Sequence, residues 1–188
     1  EEGLSAVNHI AQTYAYSWEN HLCESSHLSK GMEQIMKQEN FDIKVFLSSF
    51  SKIVYKPLTY LIHYSTNGNL NKLWNISKFN ACIPLQLKRS NLIDNGKAYL
   101  EEVDSLFKKA LESLPEQPAN NTCALTEKNA YLHIQGHQRY KLILHIGTSL
   151  CKGTGIAYKT DILDKQLHAD GYEEIEYLQK DLKHILSR

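Results

Sequence analysis

Apolar residues recur every three or four positions along most of the chain, which is the spacing of one buried helix face. The first such stripe runs from Leu4 to Leu22 and the last from Ile175 to Ile185. No segment shows the strict alternation of apolar and polar residues that is typical of a half-buried strand. The pattern therefore predicts an all-α protein, a single compact bundle of six to eight helices joined by short loops.

Capping residues set the expected boundaries of the helices in the first half of the chain. Ser29 can cap a short helix that reaches Met36, and Asp42 can cap a longer one whose apolar stripe reaches Leu61. Pro57 lies inside this longer helix. Because proline lacks an N–H and its ring clashes with the preceding turn, we expect it to kink or split the helix.

Turn residues divide the segment that follows. The stretch at 65–69 predicts a turn, residues 70–79 a short helix, and residues 83–87 an irregular connector. The triplet Asp-Asn-Gly at 94–96 predicts a second break, which opens another helix.

The second half contains the best candidate for an internal boundary. The helix that begins near residue 96 should stop at Pro115, and the polar loop 115–121 follows it. Thr126 is expected to cap a helix that continues to about Gly147. With 188 residues the chain is long enough for one domain, 1–188. It begins with Glu1, and we expect it to be part of a longer or processed protein.

Charge is segregated along the chain although the formal net charge is zero. Residues 43–93 contain seven lysines and arginines and no carboxylate, and residues 128–160 contain five and no carboxylate. Two interpretations remain open. Basic helices could pair with acidic neighbours, or the two acid-free segments could form one surface that binds a lipid head group, an inositol phosphate or nucleic acid.

An apolar run inside the second acid-free segment suggests how such a surface could meet a membrane. Residues 140–146 are apolar on nearly all sides of a helix, so they are either buried or inserted in an apolar partner. Arg139, Lys141 and Lys152 flank this run, as an interfacial membrane contact requires. The candidate membrane-contact residues are Leu142, Ile143, Leu144 and Ile146.

The residues expected to hold the anion are basic and come from the acid-free segments or from helix ends. They are Lys88, Arg89, Lys109, Arg139, Lys141, Lys152 and His184. The sequence predicts no cofactor and no metal site, because His133 and His137 have Ile134 where a zincin has glutamate and no third ligand is evident. In the Gly147–Gly155 stretch the lysine precedes the glycine, which is the wrong order for a Walker loop.

Arg139 and His145 resemble the active-site pair of the all-helical HEPN family of ribonucleases, an arginine followed a few residues later by a histidine. The resemblance implies RNA cleavage, in which the two side chains polarise the phosphodiester and move protons. That family usually has a small polar residue after the arginine, and this chain has Tyr140.

In size, helical architecture and composition the chain resembles another group of proteins. It is rich in Asn, Lys and Ile and ends in the basic segment 182–188. These features are similar to the helical C-terminal domains that bind phosphatidylinositol 4-phosphate in effectors of intracellular bacteria. The resemblance implies a basic head-group pocket with apolar residues inserted beside it.

The function expected from the sequence is therefore membrane targeting through a phosphoinositide, at a peripheral membrane inside a cell. If the source is a bacterial effector, that cell is the host into which it is secreted. The alternatives are a HEPN-like ribonuclease that uses Arg139 and His145, and a helical protein-interaction domain without a small ligand. A binding domain is favoured over an enzyme.

Overall fold

The computed structural model describes residues 23, 25–66, 68, 70–115, 118 and 125–165, and their regular structure is entirely helical. Five α-helices occur in this part: α1 (Ser25–Glu39), α2 (Ile43–Thr66), α3 (Ile76–Ala81), α4 (Ile93–Glu112) and α5 (Gly136–Leu150). Short 3-10 helices span Leu70–Lys72, Arg89–Leu92 and Ala130–Leu132, and a π-helical segment spans Tyr158–Leu163. The all-α prediction is confirmed, with a helix number at the low end of the expected range. The terminal stripes and most of the loop 115–121 lie outside the described residues.

Helix α2 is the central element of the bundle and packs against both α1 and α4. It begins as expected, because the Asp42 carboxylate accepts the backbone N–H groups of Lys44 at 2.8 Å and Val45 at 3.3 Å. The helix is continuous through Pro57, so the predicted split does not occur. The carbonyl of Pro57 accepts the indole N–H of Trp74 at 3.2 Å, which ties the following loop to this point of α2.

The predicted break at 94–96 is present at the start of α4. Asp94, Asn95 and Gly96 all have positive φ angles, 53°, 53° and 76°. The side-chain oxygen of Asn95 accepts the backbone N–H of Asp42 at 2.6 Å, which fixes this turn against the start of α2. A Cβ at Gly96 would lie 2.8 Å from the ring of Phe46, so the close approach requires glycine.

The predicted single helix from Thr126 to Gly147 is wrong. The chain forms a short 3-10 turn and then starts α5 at Gly136. The reason is a pair of tertiary hydrogen bonds at Tyr131. Its N–H donates to the hydroxyl of Ser51 on α2 at 3.2 Å, and its carbonyl accepts from the Arg139 guanidinium at 3.2 Å. These bonds satisfy backbone groups that a continuous helix would have paired internally.

Candidate functional site

The two acid-free segments meet at the C-terminal end of α5. The Arg89 guanidinium donates to the carbonyl of Lys152 at 3.3 Å, and the Ser149 hydroxyl donates to the carbonyl of Leu87 at 2.9 Å. The side chains of Lys88, Arg89 and Lys152 are all exposed there. Three of the seven predicted ligand-binding residues are thus brought together. We call residues 88–90, Ile93 and Lys152 the Arg89 surface.

Local structure explains how this surface is held. The side-chain oxygen of Asn91 accepts the backbone N–H of Lys88 at 2.9 Å, which closes the 3-10 turn Arg89–Leu92. Leu92 is buried at 2% exposure, whereas the next residue, Ile93, is 69% exposed. An aliphatic side chain is therefore exposed to solvent four residues along the chain from Arg89.

A cavity of about 410 Å³ lies at the same place, which is large enough for a small ligand. It is lined by Arg89, Ser90, Leu92, Ile93 and Leu150. The guanidinium and the serine hydroxyl can donate to phosphate oxygens, and the three aliphatic side chains can contact the apolar part of the same molecule.

A row of exposed residues on α5 extends from this surface. His137, Lys141, His145 and Thr148 are exposed and follow one another at helical spacings of four, four and three residues. Helix α5 contains no acidic residue. Lys141 is nine residues, or about 14 Å along the helix axis, from Leu150, which lines the cavity beside Arg89. Lys141 can therefore contact a second anionic group, but not the one held at Arg89.

The structure corrects the prediction for Arg139. This side chain is fully buried, at 0% exposure. Its guanidinium donates to the Tyr131 carbonyl and lies 5.3 Å from the centre of the Tyr131 ring. Together with burial, which is the larger cause, its positive charge lowers the pKa of His133. Arg139 therefore stabilises the turn that precedes α5, and in this structure it cannot reach a head group.

The apolar run of α5 is also corrected. Leu142, Ile143 and Ile146 are each at 0% exposure and belong to the hydrophobic core, and Leu144 is half-buried against it. Burial was one of the two possibilities that the sequence left open, and it is the one observed. The three fully buried side chains do not form a membrane-contact surface in this structure.

Two further predicted ligand residues do not join the Arg89 surface. Lys109 is exposed in the last turn of α4. That position is about 20 Å along the helix axis from Gly96, whereas the Arg89 surface lies at the opposite end of α4, which begins at Ile93. His184 lies outside the described residues.

The catalytic and metal motifs are not assembled either. Arg139 is buried and His145 is exposed, and six residues of helix place them about 120° apart around α5, so they do not form an accessible pair. His133 is half-buried and His137 is exposed. Within the described ranges, no group of three or more potential metal ligands occurs. None of the helices described is long and apolar enough to cross a bilayer.

The alternative explanation of the charge segregation is pairing between helices. Two ion pairs join described residues to each other, Lys37–Glu33 at 2.8 Å and Lys108–Asp104 at 2.6 Å. Both connect residues four apart on one helix. Neither joins an acid-free segment to a neighbouring acidic helix, and such exposed pairs contribute little stability.

Sequence reasoning missed Ile93, the most exposed large apolar residue described. Leu92 and Ile93 are adjacent and chemically similar, and only the geometry of the 3-10 turn decides which of them faces the core. The one available signal was an aliphatic residue placed directly before the 94–96 turn in an acid-free segment.

No family model, curated protein or solved structure matches this chain.

Proposed function

We propose that this chain is a membrane-targeting domain that binds the phosphorylated head group of a phosphoinositide at the Arg89 surface. The observation that supports this most is the hydrogen bond from Arg89 to the Lys152 carbonyl, since it joins the two acid-free segments into one exposed basic surface. The cavity beside it supports the proposal, because its lining combines a guanidinium and a hydroxyl with three aliphatic side chains.

The exposed Ile93 gives the surface an apolar component. Burying an isoleucine side chain completely stabilises by about 1.5–3 kcal/mol. With 69% of its area exposed in the free domain, we expect insertion of Ile93 to contribute about 1–2 kcal/mol. This residue takes the role that the sequence had suggested for the apolar run of α5.

The cations supply the second contribution to the free energy of membrane binding. A lysine or arginine close to an anionic membrane contributes about 1 kcal/mol, so Lys88, Arg89 and Lys152 together contribute about 3 kcal/mol. Combined with Ile93, this gives on the order of 4–5 kcal/mol, which is weak attachment to a bulk anionic surface. A phosphoinositide concentrates several charges on one head group, and we expect it to bind more tightly than singly charged lipids. Such lipids place the domain at a cytoplasmic leaflet.

Sedimentation with vesicles tests the proposal. Vesicles that each contain one phosphoinositide are compared with phosphatidylserine vesicles at about 0.15 M salt, where weak surface attraction is screened. The double variant Lys88→Glu/Lys152→Glu should lose binding by at least tenfold, since about 1.4 kcal/mol corresponds to tenfold. Changing Arg139 is unsuitable for this test, because its burial means that the variant would perturb folding.

The matched control changes the same number of charges in the same two acid-free segments but outside the Arg89 surface. Lys72 and Lys128 are both exposed, so Lys72→Glu/Lys128→Glu should retain binding. Equal losses in both double variants would mean that only net charge matters. No binding of the unaltered domain to any phosphoinositide vesicle would refute the proposal.

A further inference from the structure

A second surface lies between α2 and α4. Two cavities of about 510 Å³ and 420 Å³ follow one another there, and both are lined by Lys52, Ile53 and Asp104. Because they share these residues, they form one continuous groove, which we call the α2–α4 groove. It extends along α2 from Val45 to Tyr60, which is about 22 Å at the helical rise per residue.

The lining of the groove includes apolar side chains in both cavities. Leu100 lines the first cavity and Phe107 the second. They are seven residues apart on α4, which is two helical turns or about 10 Å. Val45 lies at one end and is 47% exposed. An amphipathic helix presents apolar anchors at this same spacing, i and i+7, and such helices bind in grooves of this kind.

The two walls of the groove carry opposite charge. The α2 wall contributes Lys52 and Lys56, and α2 has no carboxylate. The charged residues of the α4 wall are four carboxylates and two lysines: Asp94, Glu101, Asp104, Glu112, Lys97 and Lys108. One of these lysines, Lys108, is paired with Asp104 at 2.6 Å. The α2 wall is therefore cationic and the α4 wall is net anionic.

Pro57 changes the backbone hydrogen bonding of α2 beside the groove. Proline has no N–H, so the carbonyl of Ile53, four residues earlier, lacks its usual helical donor. Residues four apart lie on the same helix face, and both Ile53 and Pro57 line the second cavity. Ile53 is also one of the three residues that the two cavities share.

We propose that the α2–α4 groove binds an amphipathic helix of a partner protein. That helix has apolar residues at i and i+7, an acidic flank that faces Lys52 and Lys56, and a basic flank that faces the α4 wall. The proposal uses no residue of the Arg89 surface, although Asp94 is adjacent in sequence to Ile93. It does not depend on membrane binding.

Three designed helical peptides of about 15 residues test this proposal by fluorescence polarisation. All share the same apolar face. One has an acidic and a basic flank, one has two basic flanks, and one has two acidic flanks. The unaltered domain should bind the mixed-flank peptide at least about tenfold more tightly than either of the others, a difference of 1.4 kcal/mol. A helix that binds in the opposite direction along the groove, with its apolar face still inward, has its two flanks exchanged. One mixed-flank peptide can therefore match the charges of the two walls in one of the two directions.

The variant Lys52→Glu/Lys56→Glu makes both walls anionic. Its preference should switch to the peptide with two basic flanks, while circular dichroism confirms that it remains folded. A mixed-flank peptide whose apolar anchors are serine should not bind either protein. The proposal is overturned if no peptide binds at about 1 mM, if the variant keeps the original preference, or if the serine peptide binds as well as its apolar counterpart.

Discussion

Replacement of Gly147 by alanine tests the packing of the segment that follows α5. A Cβ at this position would lie 2.2 Å from two ring atoms of Tyr158 and 2.3 Å from a third. Real side chains essentially never approach so closely. The Tyr158 ring is only 2% exposed, so it cannot move aside into solvent. Gly147 is therefore required because the ring lies directly against the α5 backbone.

Two opposing effects determine how much Gly147→Ala changes the free energy of unfolding. Alanine is preferred to glycine inside a helix by about 1 kcal/mol. Inserting an extra carbon into a packed core costs about 1–3 kcal/mol. Because the Cβ would lie more than 1 Å closer to the Tyr158 ring than in an ordinary contact, we expect a cost in the upper part of that range. The net result is a loss of about 1–2 kcal/mol in the free energy of unfolding, or about 2–8 °C in Tm for a chain of this size.

Urea denaturation followed by circular dichroism measures this loss. Thr148→Ala is the matched control, since Thr148 is the neighbouring residue on α5 and is exposed. It should change stability only through helix propensity, and in the favourable direction. Adding Tyr158→Leu should reduce the cost of Gly147→Ala, which a double-mutant cycle would detect. A Gly147→Ala variant as stable as the unaltered domain would refute the packing of Tyr158 on α5.

Three other predictions follow from the described residues. Ile93→Ser should weaken phosphoinositide vesicle binding about five- to thirtyfold without loss of stability, whereas Leu73→Ser, 42% exposed, should not. Tyr158→Phe should raise the free energy of unfolding by up to about 1 kcal/mol, because the buried hydroxyl has no hydrogen-bond partner among the described residues; a loss in urea denaturation would contradict this. Burial and the nearby Arg139 lower the pKa of folded His133, so the unfolded chain binds its proton first as the pH falls below about 6.5. Stability should therefore fall from pH 7 toward about 5.5, and His133→Gln should make that fall smaller.

The sequence predicted some local features that a few side chains determine, but the predicted Ser29 cap was wrong, because α1 begins at Ser25. The Asp42 cap and the break at 94–96 both follow from the intrinsic preferences of Asp, Asn and Gly, and both are present. The continuous helix from Thr126 failed because tertiary bonds at Tyr131 to Ser51 and Arg139 override local periodicity. No local pattern contains information about a partner 80 residues away.

The candidate site was also predicted only in part. Charge segregation identified Lys88, Arg89 and Lys152, but only the folded chain shows that they meet. Arg139 and Lys141 are two residues apart and look equivalent in the sequence. On α5 this spacing places one in the core and the other in solvent, and the packing of α5 against the core determines which is which.

The most direct test of the account is to ask whether the Arg89 surface enters a membrane. The variants Ile93→Trp and Val45→Trp each place a new indole at an exposed aliphatic position, the first in the Arg89 surface and the second in the α2–α4 groove. Their fluorescence is measured on phosphoinositide vesicles that contain brominated lipids. We expect a blue shift and quenching for Ile93→Trp and neither for Val45→Trp. If both variants bind the vesicles but Ile93→Trp is unchanged, or if both indoles are quenched equally, the Arg89 surface is not the membrane-binding site.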